Sequence, residues 1–264
     1  MLTLNLDDFS IFKYPGGEVQ TRLVQGLGVT EVNLHARVRS SDDLIALFQA
    51  GDIINNAGAS INQLVLPYLP YGRADRRFVP GDTNGLQVML KAISSLLQYK
   101  QVLTIDIHSK TPDILNVEPT SFIQRTINQF KPTRLVFPDK GARQRYDIAR
   151  IPSTYCEKVR TPGTGDIIGF ARCGSVNEHD RILVIDDICD GGRTFLEVAK
   201  TIPDTCILGL YITHGLFSKG VRELLSRYQT IFTTNTFQKH IAASNHGTAK
   251  NVVVFDYNEL LGDE

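Results

Sequence analysis

Apolar residues fall along this chain in short runs that alternate with longer stretches of helical period. Runs rich in Val, Ile and Leu, bounded by polar turns, read as strands buried on both faces. They lie at Val32–Leu34, Gln63–Leu66, Gln101–Ile105, Arg134–Phe137, Ile182–Ile185, Cys206–Ile212, Thr230–Thr233 and Asn251–Phe255. Apolar positions at helical spacing predict helices over Asp42–Ala57, Asn84–Gln98, Pro119–Phe130, Ala142–Ile148, Thr194–Ile202 and Lys219–Arg227. This β–α alternation predicts parallel sheets with helices on both faces, and ligands at the carboxyl ends of the strands. No sequence repeat is visible, yet the elements divide into two α/β halves that meet near Val117–Phe130.

The bulk composition narrows the class without naming an activity. At 264 residues the chain can bury a full core in one large domain or two small ones. Formal net charge is +0 and the pI is about 7.0, with no basic stripe of the kind that nucleic acid selects. The N-terminal MLTLNLDDFS carries acids where a secretory signal needs basic residues, and no window reaches the length of a membrane span. Cys156, Cys173, Cys189 and Cys206 show no C-x-x-C spacing, so they read as reduced thiols of a cytoplasmic protein. Cys189 reads as a small packed side chain rather than a nucleophile.

The strongest chemical signal is RILVIDDICDGGRTFLEVAKTI, Arg181 to Ile202. A buried strand ends in Asp186 and Asp187. Asp190, Gly191, Gly192, Arg193 and Thr194 follow, and a helix begins near Thr194. Small residues let backbone N–H groups converge on an anion at a helix N-terminus. The carboxylates suit sugar hydroxyls or a cation beside that anion. Together the parts predict a pocket for a phosphorylated sugar; a tight turn with solvated acids is the competing reading.

This stretch resembles the D-D-I-I-D-T-x-x-T loop of phosphoribosyltransferases and of the related ribose-phosphate pyrophosphokinases (PRPP synthetases). Gly191 stands where that loop has its first threonine, and Arg193 where the synthetases carry a small residue. Further segments resemble the synthetases in the same order, between about Lys13 and Phe255. KYPGGEVQTRL resembles K-F-S-D-G-E-V, and LVLPYLPYGRADRR resembles P-Y-x-x-Y-A-R-Q-D-R. VLTIDIHS resembles T-M-D-L-H-A, and VFPDKGARQR resembles S-P-D-x-G-G-V-x-R-A. CEKVRTPG sits where the synthetases carry K-R-R. THGLFSKGVREL and TTNTF are similar to T-H-x-x-x-S-x-x-A and V-T-N-S.

The resemblance implies two tandem phosphoribosyltransferase-like lobes, over 1–120 and 121–264, each a mainly parallel sheet flanked by helices, with the active site between them. It implies an enzyme that moves the diphosphoryl group of ATP to the anomeric hydroxyl of ribose 5-phosphate, giving PRPP and AMP, with Mg²⁺. Tyr14, Gly16, Gly17 and Glu18 match the adenine-reading segment, which in the family reaches a neighbouring subunit and so implies a homo-oligomer. Gly16 replaces the family aspartate. Arg73, Ala74, Asp75 and Arg76 match the second ATP segment, with Ala74 in place of a glutamine. His108 and Asp139 match the metal positions; a hydrogen-bonded strand-end histidine and a turn acid are the plain alternatives. Lys158 and Arg160 match the catalytic cations, on a segment, Tyr155–Ile168, expected to be a mobile loop. Arg143 and Arg145 either support the diphosphate loop or are helix-surface charge. The C-terminal DYNELLGDE is expected to shorten the family's closing helix. Three other readings stay open. One is the same chemistry on ADP-ribose, giving ADP-ribose pyrophosphate, because Gly191 and Arg193 alter the 5-phosphate pocket. The others are a PRPP-consuming phosphoribosyltransferase and a catalytically dead regulatory relative.

Overall fold

The computed structural model describes residues 2–24, 26–148, 150–160, 167–172, 175–238 and 251–262. They form two units, Met1–Glu118 and Pro119–Glu264.

The first unit runs β1 (Leu2–Asn5), β2 (Ser10–Lys13), β3 (Val19–Arg22), β4 (Glu31–His35), α1 (Ser41–Asn56), β5 (Ser60–Leu66), α2 (Gly85–Leu96), β6 (Tyr99–Ile105) and β7 (Ile114–Val117), with one 3₁₀ turn at Leu6–Asp8. Its five-stranded sheet has the order β1-β4-β5-β6-β7 and is parallel throughout. β2 and β3 form a separate antiparallel hairpin. α1 begins where the sequence places a cap: the Ser40 hydroxyl accepts a hydrogen bond from the Asp43 N–H, and Asp42 and Asp43 face the positive end of the helix. Its inner face sets Ala46, Leu47, Ala50 and Ile54 against Val32, Leu34, Ile61 and Leu64, all fully buried.

The second unit runs α3 (Thr120–Phe130), β8 (Arg134–Phe137), α4 (Lys140–Tyr146), β9 (Ser153–Arg160), β10 (Ile167–Arg172), β11 (Arg181–Cys189), α5 (Arg193–Lys200), β12 (Ile207–Gly215), α6 (Arg222–Leu225), β13 (Thr230–Thr234), β14 (Val252–Phe255) and α7 (Asn258–Leu261). The sheet order is β10-β9-β8-β11-β12-β13-β14, parallel except where β10 turns back along β9. Alternate residues of β11 serve opposite faces. Ile182 and Val184 pack with Phe195, Val198 and Leu210, whereas Leu183 and Ile185 pack with Phe122, Ile123 and Phe130. A strand covered on both sides must be apolar at every position, which is why Ile182–Ile185 is an unbroken run.

Two expectations need correction. Tyr155–Ile168 is not a loop throughout: Ser153–Arg160 and Ile167–Arg172 pair as an antiparallel extension of the sheet. Its β-branched and aromatic residues favour extended backbone over the glycine and proline punctuation read from sequence. That punctuation, Pro162, Gly163 and Gly165, lies outside the described residues. The helix expected over Lys219–Arg227 is confined to Arg222–Leu225, because Phe217 and Gly220 adopt φ 45° and 70° and hold Lys219 in a turn. Among the described residues no helix is long and apolar enough to cross a membrane.

Candidate active site

In the second unit three neighbouring parallel strands, β8, β11 and β12, deliver their carboxyl ends together, where open α/β sheets hold ligands. β8 leads to Asp139. Its carboxylate caps α4, accepting from the Ala142 N–H at 2.9 Å. One turn further, the Arg145 guanidinium donates from Nη1 to Asp187 Oδ2 at 2.9 Å. Asp187 Oδ1 accepts from the Ile188 N–H at 2.8 Å, and the side chain is only 3% exposed. Asp186, beside it, is half-buried. Loss of water holds its carboxyl well above the usual carboxylate range, and the negative charges of Asp187 and Asp139 push it further the same way.

Beyond Cys189 the chain turns at exposed Asp190 and enters α5 through Gly192, at φ 81°. A Cβ at Gly192 would also stand 3.3 Å from the Leu224 side chain, so glycine is required there by backbone and by space. The N–H groups of residues 191–194 have no backbone acceptor. They open the helix as anion donors. Arg193 is exposed and Thr194 half-buried. Cys189 is fully buried in the core.

β12 carries His214 next to its carboxyl end, buried with Nδ1 2.9 Å from the Thr236 hydroxyl. The turn after it is tied to the β11 loop. Leu216 and Phe217 donate their N–H groups to the Cys189 carbonyl, and Ser218 donates to that of Asp190. Lys219 thereby lies over Gly191: its Cδ and Cε sit 3.6 Å from where a Cβ on that glycine would stand. From here a groove of about 570 Å³ runs along α5, past Leu196 and Lys200 to Arg227.

The first unit gathers its own set at the ends of β5 and β6. After β5 the chain turns at Tyr71, with φ 60°, and the Ala74 N–H closes the turn on the Tyr71 carbonyl. After β6, Asp106 is fully buried at φ 47°, its N–H bonded to the Val117 carbonyl. Asn116 Oδ1 accepts from the Ile107 N–H, so β7 steers the chain outward to His108. The two loops touch. The Ser109 hydroxyl donates to Asp75 Oδ2 at 2.7 Å, and a side chain at Gly72 would meet the Leu69 carbonyl at 3.1 Å and His108 at 3.8 Å. Arg73, Arg76 and His108 are exposed. Arg76 lies 5.3 Å from the exposed Phe78 ring.

The β2–β3 hairpin carries Tyr14, Gly16, Gly17 and Glu18 at its tip. The Tyr14 N–H donates to the Glu18 carbonyl and the Gly17 N–H to that of Tyr14. Tyr14 is 48% exposed and meets Phe12 edge-to-face at 5.2 Å. Lys158 and Arg160 belong to β9, and their side chains lie outside the described residues.

The structure thus joins Asp139, Asp186, Asp187, Asp190, Gly191, Gly192, Arg193 and Thr194 around one strand-end cluster. It joins Arg73, Ala74, Asp75, Arg76 and His108 around another. Arg145 belongs to the first cluster, through Asp187. Arg143 is helix-surface charge, paired with Asp147 one turn on at 3.2 Å. Sequence reasoning passed over Lys219, which falls at an unspecified position of the T-H-x-x-x-S-x-x-A pattern and so carried no signal.

No protein-family model matches the chain. Curated relatives match it nearly end to end. The ribose-phosphate pyrophosphokinase of Pyrococcus abyssi is 27% identical over 278 residues, covering 98% of this chain and 92% of that one. That of Methanopyrus kandleri is 28% identical over 245 residues, covering 85% and 82%. A crystal structure of phosphoribosylpyrophosphate synthetase from Mycobacterium smegmatis has a TM-score of 0.79, covering 97% of this chain and 88% of that chain at 16% identity. The architecture is therefore that of two tandem phosphoribosyltransferase-like lobes. With the strand-end loop in place and the likeness running the length of the chain, this protein is similar from end to end to the ribose-phosphate pyrophosphokinases (PRPP synthetases), a family of transferases.

Proposed function

We propose that the protein transfers the β,γ-diphosphoryl group of ATP to the anomeric hydroxyl of a ribose phosphate. The hydroxyl oxygen attacks the β-phosphorus, the bond from that phosphorus to the α,β-bridging oxygen breaks, and AMP leaves. The observation that supports this most is the end-to-end likeness to proteins named for that activity. It spans the Arg73–Arg76 and Asp186–Thr194 clusters alike. Catalysis of such a transfer is mostly positioning and charge neutralisation.

The roles follow the chemistry of each position. Tyr14 offers a ring for adenine, with Gly16, Gly17 and Glu18 shaping the tip of its hairpin. Arg73 and Arg76 offer cations to the phosphates, and Ser109 fixes Asp75 beneath them. Asp186, Asp187 and Asp190 hold ribose hydroxyls or the metal bound to them, while the N–H groups from Gly191 to Thr194 take the 5-phosphate. Lys158 and Arg160 neutralise the charge that builds on the moving group.

The donor set fits Mg²⁺. Among the described residues no cluster of three or more His, Cys, Asp or Glu side chains is placed to hold a metal alone. Mg²⁺ commonly binds one or two carboxylates and takes its remaining ligands from phosphates and water. The carboxylates crowding Asp186 are the place where a cation is most favoured. His108 and Asp139 are the residues that would hold Mg²⁺ to ATP, and the ion would supply charge stabilisation along the phosphate chain. The hairpin-tip residues are proposed to serve a neighbouring subunit of a homo-oligomer.

Ribose 5-phosphate is the first acceptor. ADP-ribose is the second, favoured by the bare Gly191, the exposed Arg193 and the groove beyond them. Incubation with ATP, Mg²⁺ and each acceptor, followed by mass analysis, tests the reading. AMP with PRPP, or AMP with ADP-ribose pyrophosphate, is the expected outcome. No AMP from either acceptor rejects it and favours a regulatory relative. Release of diphosphate from PRPP in the presence of a base identifies a phosphoribosyltransferase instead.

A further inference from the structure

Lys219 is held where it is by the fold. Its turn is bonded to the Cys189 and Asp190 carbonyls on one side and closed by the Gly220 N–H on the Phe217 carbonyl at 2.7 Å. Phe217 is 6% exposed and takes φ 45°, a conformation that bulky residues adopt only when their surroundings impose it. The result is a lysine stem laid across Gly191. Among the described residues neither Lys219 nor Arg193 has an acidic partner. The other cations of the groove do: Lys200 pairs with Glu197 at 2.7 Å and Arg227 with Asp204 at 3.1 Å. Two cations without acidic partners among the described residues therefore lie beside Gly191, which carries no side chain.

A single terminal phosphate would be served by the N–H groups of the loop. It gives no use for a second cation beside Gly191, or for a cavity of about 570 Å³ continuing along α5. That volume lies within the roughly 300–1,000 Å³ of small-molecule sites. Leu196 gives it an apolar contact, and the exposed Glu223 gives it an acceptor for amino or hydroxyl donors. We propose that Lys219 is a specificity-determining residue: with Arg193 it receives a second phosphate joined to the acceptor's 5-phosphate, and the α5 groove takes the nucleoside carried by that phosphate. The acceptor class thereby extends from ribose 5-phosphate to a nucleoside diphosphate ribose. This rests on the reading of the Asp186–Thr194 loop as the acceptor site.

The test measures binding and turnover separately. Calorimetry without ATP gives the affinities of ADP-ribose and ribose 5-phosphate for the wild-type chain and for Lys219→Met, which keeps the stem over Gly191 and removes the charge. The ratio of ADP-ribose to ribose 5-phosphate affinity should fall about tenfold or more, the scale of a hydrogen bond to a charged group. Leu196→Trp, which narrows the groove and leaves both cations in place, should lower the same ratio. Equal loss for both acceptors, or an unchanged ratio in both variants, overturns the proposal. The outcomes keep it apart from the pyrophosphokinase reading. A selective loss of ADP-ribose binding without AMP formation from either acceptor sustains the groove and rejects the chemistry. PRPP formation with a ratio unmoved by either variant does the reverse.

Discussion

The two clusters of candidate residues are built in opposite ways. In the second unit the acceptor loop grows out of a strand covered on both faces. Asp187 is almost wholly buried and held by Arg145, and Gly192 is locked between its own φ and Leu224. In the first unit the hairpin tip, Arg73, Arg76 and His108 are exposed, and Asp75 accepts from Ser109 of the neighbouring loop. The Asp186–Thr194 loop, the proposed acceptor site, is thus shaped by the core itself. If the exposed groups of the first unit bind ATP as proposed, fixing each long side chain would cost roughly 0.5–1.5 kcal/mol. Substitutions in the second unit should act on stability and turnover, and those in the first on KM and metal demand.

Lys158→Ala should give the largest effect. Turnover should fall roughly 10²–10³-fold while ATP affinity survives, since its charge is needed most in the transition state. Single-turnover kinetics beside ATP titration checks this; a parallel loss of affinity would move Lys158 into the ligand-ordered class.

The buried pair should separate the two clusters most sharply in stability. Asp187→Ala removes the partner of a half-buried guanidinium and should cost about 3 kcal/mol, at the low end for buried pairs because Arg145 is partly exposed. Arg76→Ala breaks a surface pair at 3.9 Å and should cost about 0–1 kcal/mol. Urea denaturation of both variants gives the comparison, and equal costs would erase it.

The metal positions sharpen it further. His108→Ala removes an exposed side chain and should raise the Mg²⁺ requirement roughly tenfold at unchanged Tm. Asp139→Asn keeps a good helix cap while removing the charge, and should raise the Mg²⁺ requirement similarly. Activity against Mg²⁺ concentration, with Tm as control, distinguishes lost metal from lost structure.

The smallest effect is one of sign. Asp186 has a folded-state carboxyl raised above its unfolded value, so its contribution to stability is fully present below the unfolded value and is lost as pH rises through the raised one. Above the unfolded value, burying this carboxyl among like charges therefore opposes folding. Asp186→Asn should therefore abolish activity yet raise Tm, by roughly 2–4 °C for each kcal/mol relieved, with the gain vanishing at acid pH. A Tm that falls at neutral pH would contradict the crowding of Asp139, Asp186 and Asp187.

Each of the eight strands read from apolar runs is present, because a buried parallel strand leaves an unbroken signature. The six remaining strands left no such mark. β2 is exposed along its whole length, and β1 and β7 are edge strands of only four residues. β9 and β10 were hidden by the glycines and proline between them. The acceptor loop was legible because its parts are contiguous. The Arg145–Asp187 bond joins residues 42 apart and the Ser109–Asp75 bond residues 34 apart, so neither leaves a local pattern. Lys219 was read as the start of a helix, and only the left-handed turn on either side of it shows where it points.

The hairpin tip has an optical consequence. The chain contains no tryptophan among its 264 residues, and Tyr14 stands half in solvent at the end of a ribbon whose backbone bonds do not depend on the side chain. Tyr14→Trp would therefore install a single indole fluorophore without disturbing the core. Excited beyond the tyrosine band, its emission would report the arrival of an adenine ring, or the approach of another subunit, in real time and without a label.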